Sequence, residues 1–276
     1  MNNGDVTEIM HFAKNEFTIG GNWSRYNGKH FGQVIWAENS APKDVEYYHL
    51  PATKSDVAVY AKWLFKINQQ WSIFNVVQYR HVDYEMNGFQ DNPTLFIRRQ
   101  FNFINPKTGI SFNDAKTHAY LSYALAGKEP NRDDFEAAES EQPKPEFLHD
   151  FETGFSKKIN RFSLAATLYY MLYKDQLVLT GKINQEGSYT RVNVPNSYRL
   201  GLEIQAAAKP VDWLEVSANA TFSRNKIKEF AEYIDNYDDG TQQIIQHSNT
   251  DISFSPAVVG ALSIRVQPLK NISISF

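Results

Sequence analysis

The stretch 196–223, NSYRLGLEIQAAAKPVDWLEVSANATFS, constrains the fold of this chain more than any other. In its first arm Tyr198, Leu200, Leu202, Ile204, Ala206 and Ala208 share one face, and Ser197, Arg199, Gly201, Glu203, Gln205 and Lys209 share the other. After a turn over residues 209–212, Leu214, Val216, Ala218, Ala220 and Phe222 alternate with Glu215, Ser217, Asn219 and Thr221. A period of two held this long demands sheet, because successive side chains of a strand point to opposite faces. Arms of about a dozen residues exceed the usual soluble strand. They are long enough to cross a bilayer when tilted.

The same alternation recurs along the chain. Residues 1–14 read as a leader of unclear role, and a first strand runs from Phe17 through Ile19 and Gly21 to about Trp23. Val57, Val59, Ala61, Trp63, Phe65 and Ile67 set the apolar face of the next arm. The return arm places Trp71, Ile73, Val77 and Tyr79 together, but Asn75 interrupts them, so the register through 71–113 is loosely determined. Pro106 is expected to break the inner ladder there and to give a bulge or bend. Clean alternation returns at 117–125, at 162–172 and at 258–267, and a last short arm ends at Phe276.

The connections near 68–70, 113–116, 159–160, 209–212 and 268–270 are short, whereas those near 24–54, 87–97, 127–146, 176–195 and 224–250 are long. Short and long ends alternate, which a soluble sandwich has no reason to do. An outer-membrane barrel has short periplasmic turns and long extracellular loops. Trp63, Trp71, Tyr79, Tyr173, Tyr198 and Trp213 fall near arm ends, as interfacial aromatic girdles require. The expectation is therefore an all-β chain, an antiparallel transmembrane β-barrel. Its ten or eleven arms leave edges whose backbone groups lipid cannot satisfy, so residues 15–276 are expected to be a partial barrel domain of a larger protein.

Composition removes several function classes. A mean hydropathy of -0.48 suits a barrel in which only alternate residues meet lipid. The absence of cysteine excludes disulfides, thiolate metal sites and a thiol nucleophile. A net charge of -3 with a pI near 6.2 gives no nucleic-acid footprint. The start, MNNGDVTEIMHFAKNE, has neither the basic nor the apolar region of a signal peptide. Catalysis is not expected. His81 and Asp83 share a face without a nucleophile, and Glu203 and Glu215 could meet across the short turn but read as wall polar groups. The seven histidines lack zinc-site spacing. Asp238-Asp239-Gly240 reads as a turn and not as a calcium loop.

Five stretches together resemble a known family: FTIGGNWSRYNGKHFGQVIWAENS, FNFINPKTGISFN, AYLSYALAGKEPNRDDF, LHDFETGFSKKINRFSLAATLYYMLYKDQLVLTG and YRLGLEIQAAAKPVDWLEVSANATFSRNKI. They look like the barrel domain of TonB-dependent outer-membrane receptors of the Bacteroidetes type, from about residue 15 onward. The resemblance implies roughly half of a barrel of about 22 strands, an N-terminal plug domain absent from this sequence, and coupling to TonB through that plug. It also implies a Gram-negative outer-membrane location and uptake of a scarce nutrient, such as a ferric siderophore or other iron complex. Outer-membrane lipid is the other partner, and no cofactor is expected.

Candidate ligand-contacting loop residues are Tyr26, His30, Trp36, Tyr47, Tyr48 and His49 in the first long segment, and Arg132 in PNRDD. Arg132-Asp133-Asp134 are expected to form intraloop salt bridges that order the strand exit. Arg199, Glu203, Glu215 and Asn219 are expected to face the lumen. A passive porin-like channel, a cobalamin or oligosaccharide receptor, and a soluble or surface β-sandwich binding protein stay open at this point.

Overall fold

The computed structural model describes residues 2–12, 14–36, 38, 45–90, 92–136, 142–183, 189–269 and 271–276. Among them lie thirteen strands: β1 (Asn2–Phe12), β2 (Asn15–Gln33), β3 (Glu46–Lys66), β4 (Trp71–Asn87), β5 (Phe96–Asn113), β6 (Thr117–Lys128), β7 (Glu146–Ile159), β8 (Phe162–Ile183), β9 (Tyr189–Val211), β10 (Leu214–Asn236), β11 (Thr241–Asp251), β12 (Val258–Leu269) and β13 (Ile272–Ser275). All pairings are antiparallel and follow chain order from β1 to β10. There the edge of β10 is shared, with β12 paired to its lower half and β11 to its upper half. β1 and β13 are not paired with each other, so the sheet is an unclosed wall of a partial barrel.

Two strands of this wall, β1 and β11, lie outside the ten or eleven arms read in the sequence. Residues 1–14, left without a role there, supply β1, which pairs with β2 from Asn2↔Arg25 to Phe12↔Asn15. β11 lies within the segment 224–250 read as a loop, and β13 is the short last arm. The strands at the outer end are also longer than the period-two pattern marks. β2 with β3, β8 with β9, and β10 with β11 project as paired hairpins, so much of each long connection is strand.

The opposite rim is built from tight turns with local chemistry. Asn68 Oδ1 accepts the N–H groups of Gln70 and Trp71 at 2.8 Å each, and Asp114 Oδ1 accepts those of Lys116 and Thr117 at 2.7 Å. These are Asx turns, in which a short carboxyl or amide side chain replaces a backbone acceptor. The β9–β10 turn falls at residues 212–213. Arg161 of the neighbouring turn bridges to it, 2.9 Å from Asp212 and donating to the Pro210 carbonyl at 3.1 Å.

One face of the wall is apolar and exposed along its height, carrying Phe17, Val57, Val77, Ile104, Leu121, Phe155, Leu168, Leu202 and Phe222. Leu202 is 37% exposed and is not packed into a closed core. A bilayer is the solvent that such a face matches, and the two-sheet sandwich is excluded by this single exposed wall. Near the tight turns the apolar face carries paired aromatics. Phe17 lies parallel to Trp63 at 6.2 Å, and Trp71 contacts Phe112 at 5.1 Å. Tyr173 departs from the girdle reading, since it turns to the other face, where the Arg199 guanidinium lies 6.0 Å above its ring.

The loosely determined arm has a regular register. β4 and β5 pair without a shift from Trp71↔Phe112 to Asn87↔Phe96, with Pro106 opposite Val77. No bulge forms on that side. The ladder between β5 and β6 instead stops at Lys107↔Ala124, one residue after the proline that lacks a donor. The side chain of Asn105 then takes over, its Oδ1 accepting the Gly127 N–H at 2.9 Å.

The inner face shows a repeated device. Tyr60 faces Gly20, Phe74 faces Gly109, Tyr120 faces Gly154 and Tyr169 faces Gly201, each as a direct cross-strand pair. A Cβ built on any of these glycines would stand 2.2–2.6 Å from the facing ring. The glycine leaves a slot that the aromatic ring fills, which covers exposed backbone and fixes the register of alternate strand pairs.

Candidate functional site

Toward the outer end, the inner faces of β3, β4 and β5 stop being open wall and become a packed core. Ala52, Val82, Tyr84, Met86, Ile97, Phe101 and Phe103 are buried there together with Phe89 and Phe135. Phe135 belongs to the β6–β7 connection, in a short 3-10 helix over Arg132–Glu136. Its ring is fully buried, 5.9 Å from that of Tyr84 and 6.3 Å from that of Phe101. The connection therefore folds inward against the wall.

Beneath it lies a box of two cations and two carboxylates. Arg80 Nε donates to both oxygens of Asp56 at 3.1 Å, and its terminal nitrogens donate to Glu129 at 2.7 and 2.8 Å. Lys54 Nζ donates to Glu129 Oε1 at 2.8 Å. Burial works to raise the Glu129 carboxyl, but the hydrogen bonds from Arg80 and Lys54 outweigh it and hold the group at about 2. A buried carboxylate with two charge-assisted partners is the arrangement that repays its desolvation.

A cavity of about 260 Å³ opens beside this box, lined by Tyr26, His30, Lys54, Tyr84, Asn131 and Arg132. Of the candidates read from the sequence, the structure brings together Tyr26, His30 and Arg132. Arg132 stacks over the Phe89 ring at 4.5 Å and donates to the Gly88 carbonyl at 2.8 Å. His49 lies on strand β3 on the face opposite to Lys54, and Tyr48 lies on the same face as Lys54, paired to Gly32; Tyr47 sits at the register shift there, with its ring on the same side of Gly32 as that of Tyr48. His49 is 2.7 Å from Glu46, and the rings of Tyr47 and Tyr48 meet edge-on at 5.1 Å. Trp36 is 72% exposed beyond the end of β2 and does not reach the cavity. These residues, read as loop, are with the exception of Trp36 and Arg132 on strands.

Among the described residues, no salt bridge joins Arg132 to Asp133 or Asp134. Asp134 reaches away to Arg191 of β9, 3.2 Å from its Nε, and also accepts the Asn131 N–H at 2.7 Å. Burial pushes the Asp134 carboxyl up from its usual value, against the Asn131 N–H and the nearby Arg191 charge. Lys54, Asp56, Arg80, Tyr84 and Glu129 are functional candidates the sequence reading missed. Lys54 and Asp56 alternate in register with Ala58, a signal hidden by the long polar segment before Val57.

Lower on the inner face, Arg199, Glu203, Glu215 and Asn219 share the side of the buried Ser197. Arg199 donates to Ser255 Oγ at 2.8 Å. Glu203 and Glu215 do not meet. Glu203 lies opposite Thr167 and Thr221, and Glu215 is 3.7 Å from Arg265. A second cavity, of about 740 Å³, lies between upper β8 and the β10–β11 hairpin, where Phe254 stands fully exposed on a left-handed backbone with φ 56°. Asp239, read as part of a turn, accepts the N–H and hydroxyl of Thr241. The arrangement offers phenols, an imidazole and a guanidinium around polar concavities, which is equipment for binding.

No curated protein sequence matches the chain. Solved structures share its fold at low identity. The ferric-catecholate import receptor Fiu from E. coli K12 superposes with a TM-score of 0.68 at 15% identity over 99% of this chain and 42% of its own. The siderophore receptor PiuA from Acinetobacter baumannii gives 0.70 at 14% identity over 98% of this chain and 44% of its own. The ferric citrate transporter FecA gives 0.72 at 13% identity over 96% and 39%. The chain thus spans about two fifths of the length of these structures. Residues 2–266 match the model of the TonB dependent receptor-like β-barrel, and with an open antiparallel wall that is apolar outside and polar inside, the chain belongs to that family of outer-membrane type receptors.

Proposed function

We infer that this wall is part of a receptor for TonB-energised uptake of a scarce nutrient, with a ferric siderophore or another iron complex as the cargo. The observation that supports this most is the rim cavity of Tyr26, His30, Tyr84 and Arg132 on the inner wall of a TonB-dependent receptor barrel. A guanidinium and phenols suit an oxygen-rich anionic ligand, through charge-assisted hydrogen bonds and ring contacts. Relatives in fold described as ferric-catecholate, siderophore and ferric citrate receptors agree with that chemistry. In this reading a plug domain of the same receptor packs on Arg199, Glu203, Glu215 and Asn219 and passes the pull of TonB to the ligand site. In the same reading the receptor sits in the outer membrane of a Gram-negative cell, of the Bacteroidetes type that the sequence resembles. Chemistry on the ligand is not needed for its transport.

The test is uptake of radiolabelled ferric complexes by cells carrying the full receptor, with and without TonB. Saturable uptake that needs TonB and falls at least tenfold in Arg132→Ala supports the reading. TonB-independent, non-saturating entry would favour a passive channel. Competition by cobalamin or an oligosaccharide, but by no iron complex, would reassign the cargo.

A further inference from the structure

The β6–β7 connection makes contacts that a surface loop has no need of. It leaves β6 and returns in β7, yet its anchors lie on other strands on both sides. Glu129 is tied to Lys54 of β3 and Arg80 of β4, and Phe135 fills the core formed by β3, β4 and β5. Arg132 stacks on Phe89 in the β4–β5 connection, and Asp134 pairs with Arg191 of β9. A single segment thereby reaches back three strands and forward three, across β6, β7 and β8. Its carboxylates at 129 and 134 are both buried, at 6% and 3% exposure.

We propose that residues 129–136 are a strut that locks the outer ends of β3, β4, β5 and β9 into one rigid sector and holds a fixed shape inside the mouth of the barrel. The physical case is that each anchor is of the kind whose removal is costly. Phe135 is a fully buried ring whose truncation leaves a cavity, and Glu129 is a buried charge whose loss takes from Lys54 its carboxylate partner and leaves Arg80 with Asp56 alone. Neighbouring strands already share a backbone ladder. Only a contact between strands that are not neighbours adds rigidity against a change of curvature, and the Asp134–Arg191 pair supplies it. The β6–β7 segment keeps its position when ligand binds, so any closing motion at the mouth falls to the projecting hairpins β2–β3 and β10–β11.

Hydrogen–deuterium exchange on the full receptor in nanodiscs tests this, comparing the unmodified protein with Phe135→Ala and with Asp134→Asn. In the unmodified protein, amides of 129–136 should exchange at least ~100-fold more slowly than a free peptide of that sequence, as buried anchors demand. Phe135→Ala should speed exchange at 129–136, at 82–87 of β4 and at 189–194 of β9, while 202–208 stay unchanged. Asp134→Asn keeps the buried ring and cuts the β9 anchor, so it should speed exchange at 189–194 even if Phe135→Ala fails to assemble. Exchange at 129–136 at the free-peptide rate would overturn the proposal. So would variants whose effect stays within 129–136, since the segment would then be a cover that stiffens nothing beyond itself.

Discussion

Acid should release the β6–β7 segment from the inner wall, and the size of the effect follows from Glu129. Its carboxyl is moved from 4.5 to about 2 by Arg80 and Lys54, against the opposing effect of its burial. At ~1.4 kcal/mol per unit, that displacement corresponds to about 3 kcal/mol favouring the docked segment. Because the docked-state value is depressed, this contribution is fully present above pH 4.5 and is lost as the pH falls toward 2. Asp134 works the other way. Its raised carboxyl takes up a proton more readily when docked, so acidification relieves part of its burial penalty and blunts the transition. A fluorinated phenylalanine at position 135 of the full receptor reports docking by 19F NMR. The resonance should be that of a buried ring at pH 6 and should shift to a solvated one between pH 4.5 and 2. In Glu129→Gln the solvated resonance should be substantial at pH 7. An unchanged buried resonance in that variant across the whole range would refute the claim that Glu129 holds the segment.

Three further outcomes follow from the wall. Leu202→Arg, on the apolar face, should cost ~2–4 kcal/mol in urea titrations of folding into phospholipid vesicles, whereas Glu203→Arg on the inner face should change little. Gly201→Val should clash with the Tyr169 ring and destabilise by ~1–3 kcal/mol, and adding Tyr169→Ala should recover part of that loss; thermal melts in detergent read both. Asn105→Leu leaves the Gly127 N–H without its acceptor beside Pro106, which should cost ~1–3 kcal/mol and speed exchange at that amide.

The arms that cross the apolar band were legible because one face of each is constrained by a single solvent, and a period of two then repeats without compromise. Beyond that band the pattern fades. The hairpins β2–β3, β8–β9 and β10–β11 have water on both sides for much of their length, so their sequence has no reason to alternate and reads as loop. β1 was hidden for a similar reason, with Asn2, Asn3 and Gly4 offering no apolar stripe. Tyr26, His30 and Arg132, which line one cavity, were legible as ring- and charge-bearing residues of two long segments. Their partners were not, because Lys54, Arg80 and Glu129 are separated by 75 residues from first to last and only the sheet brings them together. The Asp134–Arg191 pair has the same origin. A charge run suggests pairing within itself until the register of distant strands is known. The glycine slots at Gly20, Gly109, Gly154 and Gly201 carried a signal that isolated strand glycines always carry, a close approach, but which ring approaches is fixed only by pairing.

The central claim is that β9 and β10 present alternate residues to lipid and to a polar interior. Spin labels placed singly at residues 198–208 of the full receptor in liposomes test it by collision with oxygen and with a water-soluble nickel complex. Even-numbered positions should be oxygen-accessible and odd-numbered ones should not, with a period of two across the whole span. A flat profile, or even-numbered positions shielded from both reagents as in a closed protein core, would contradict it.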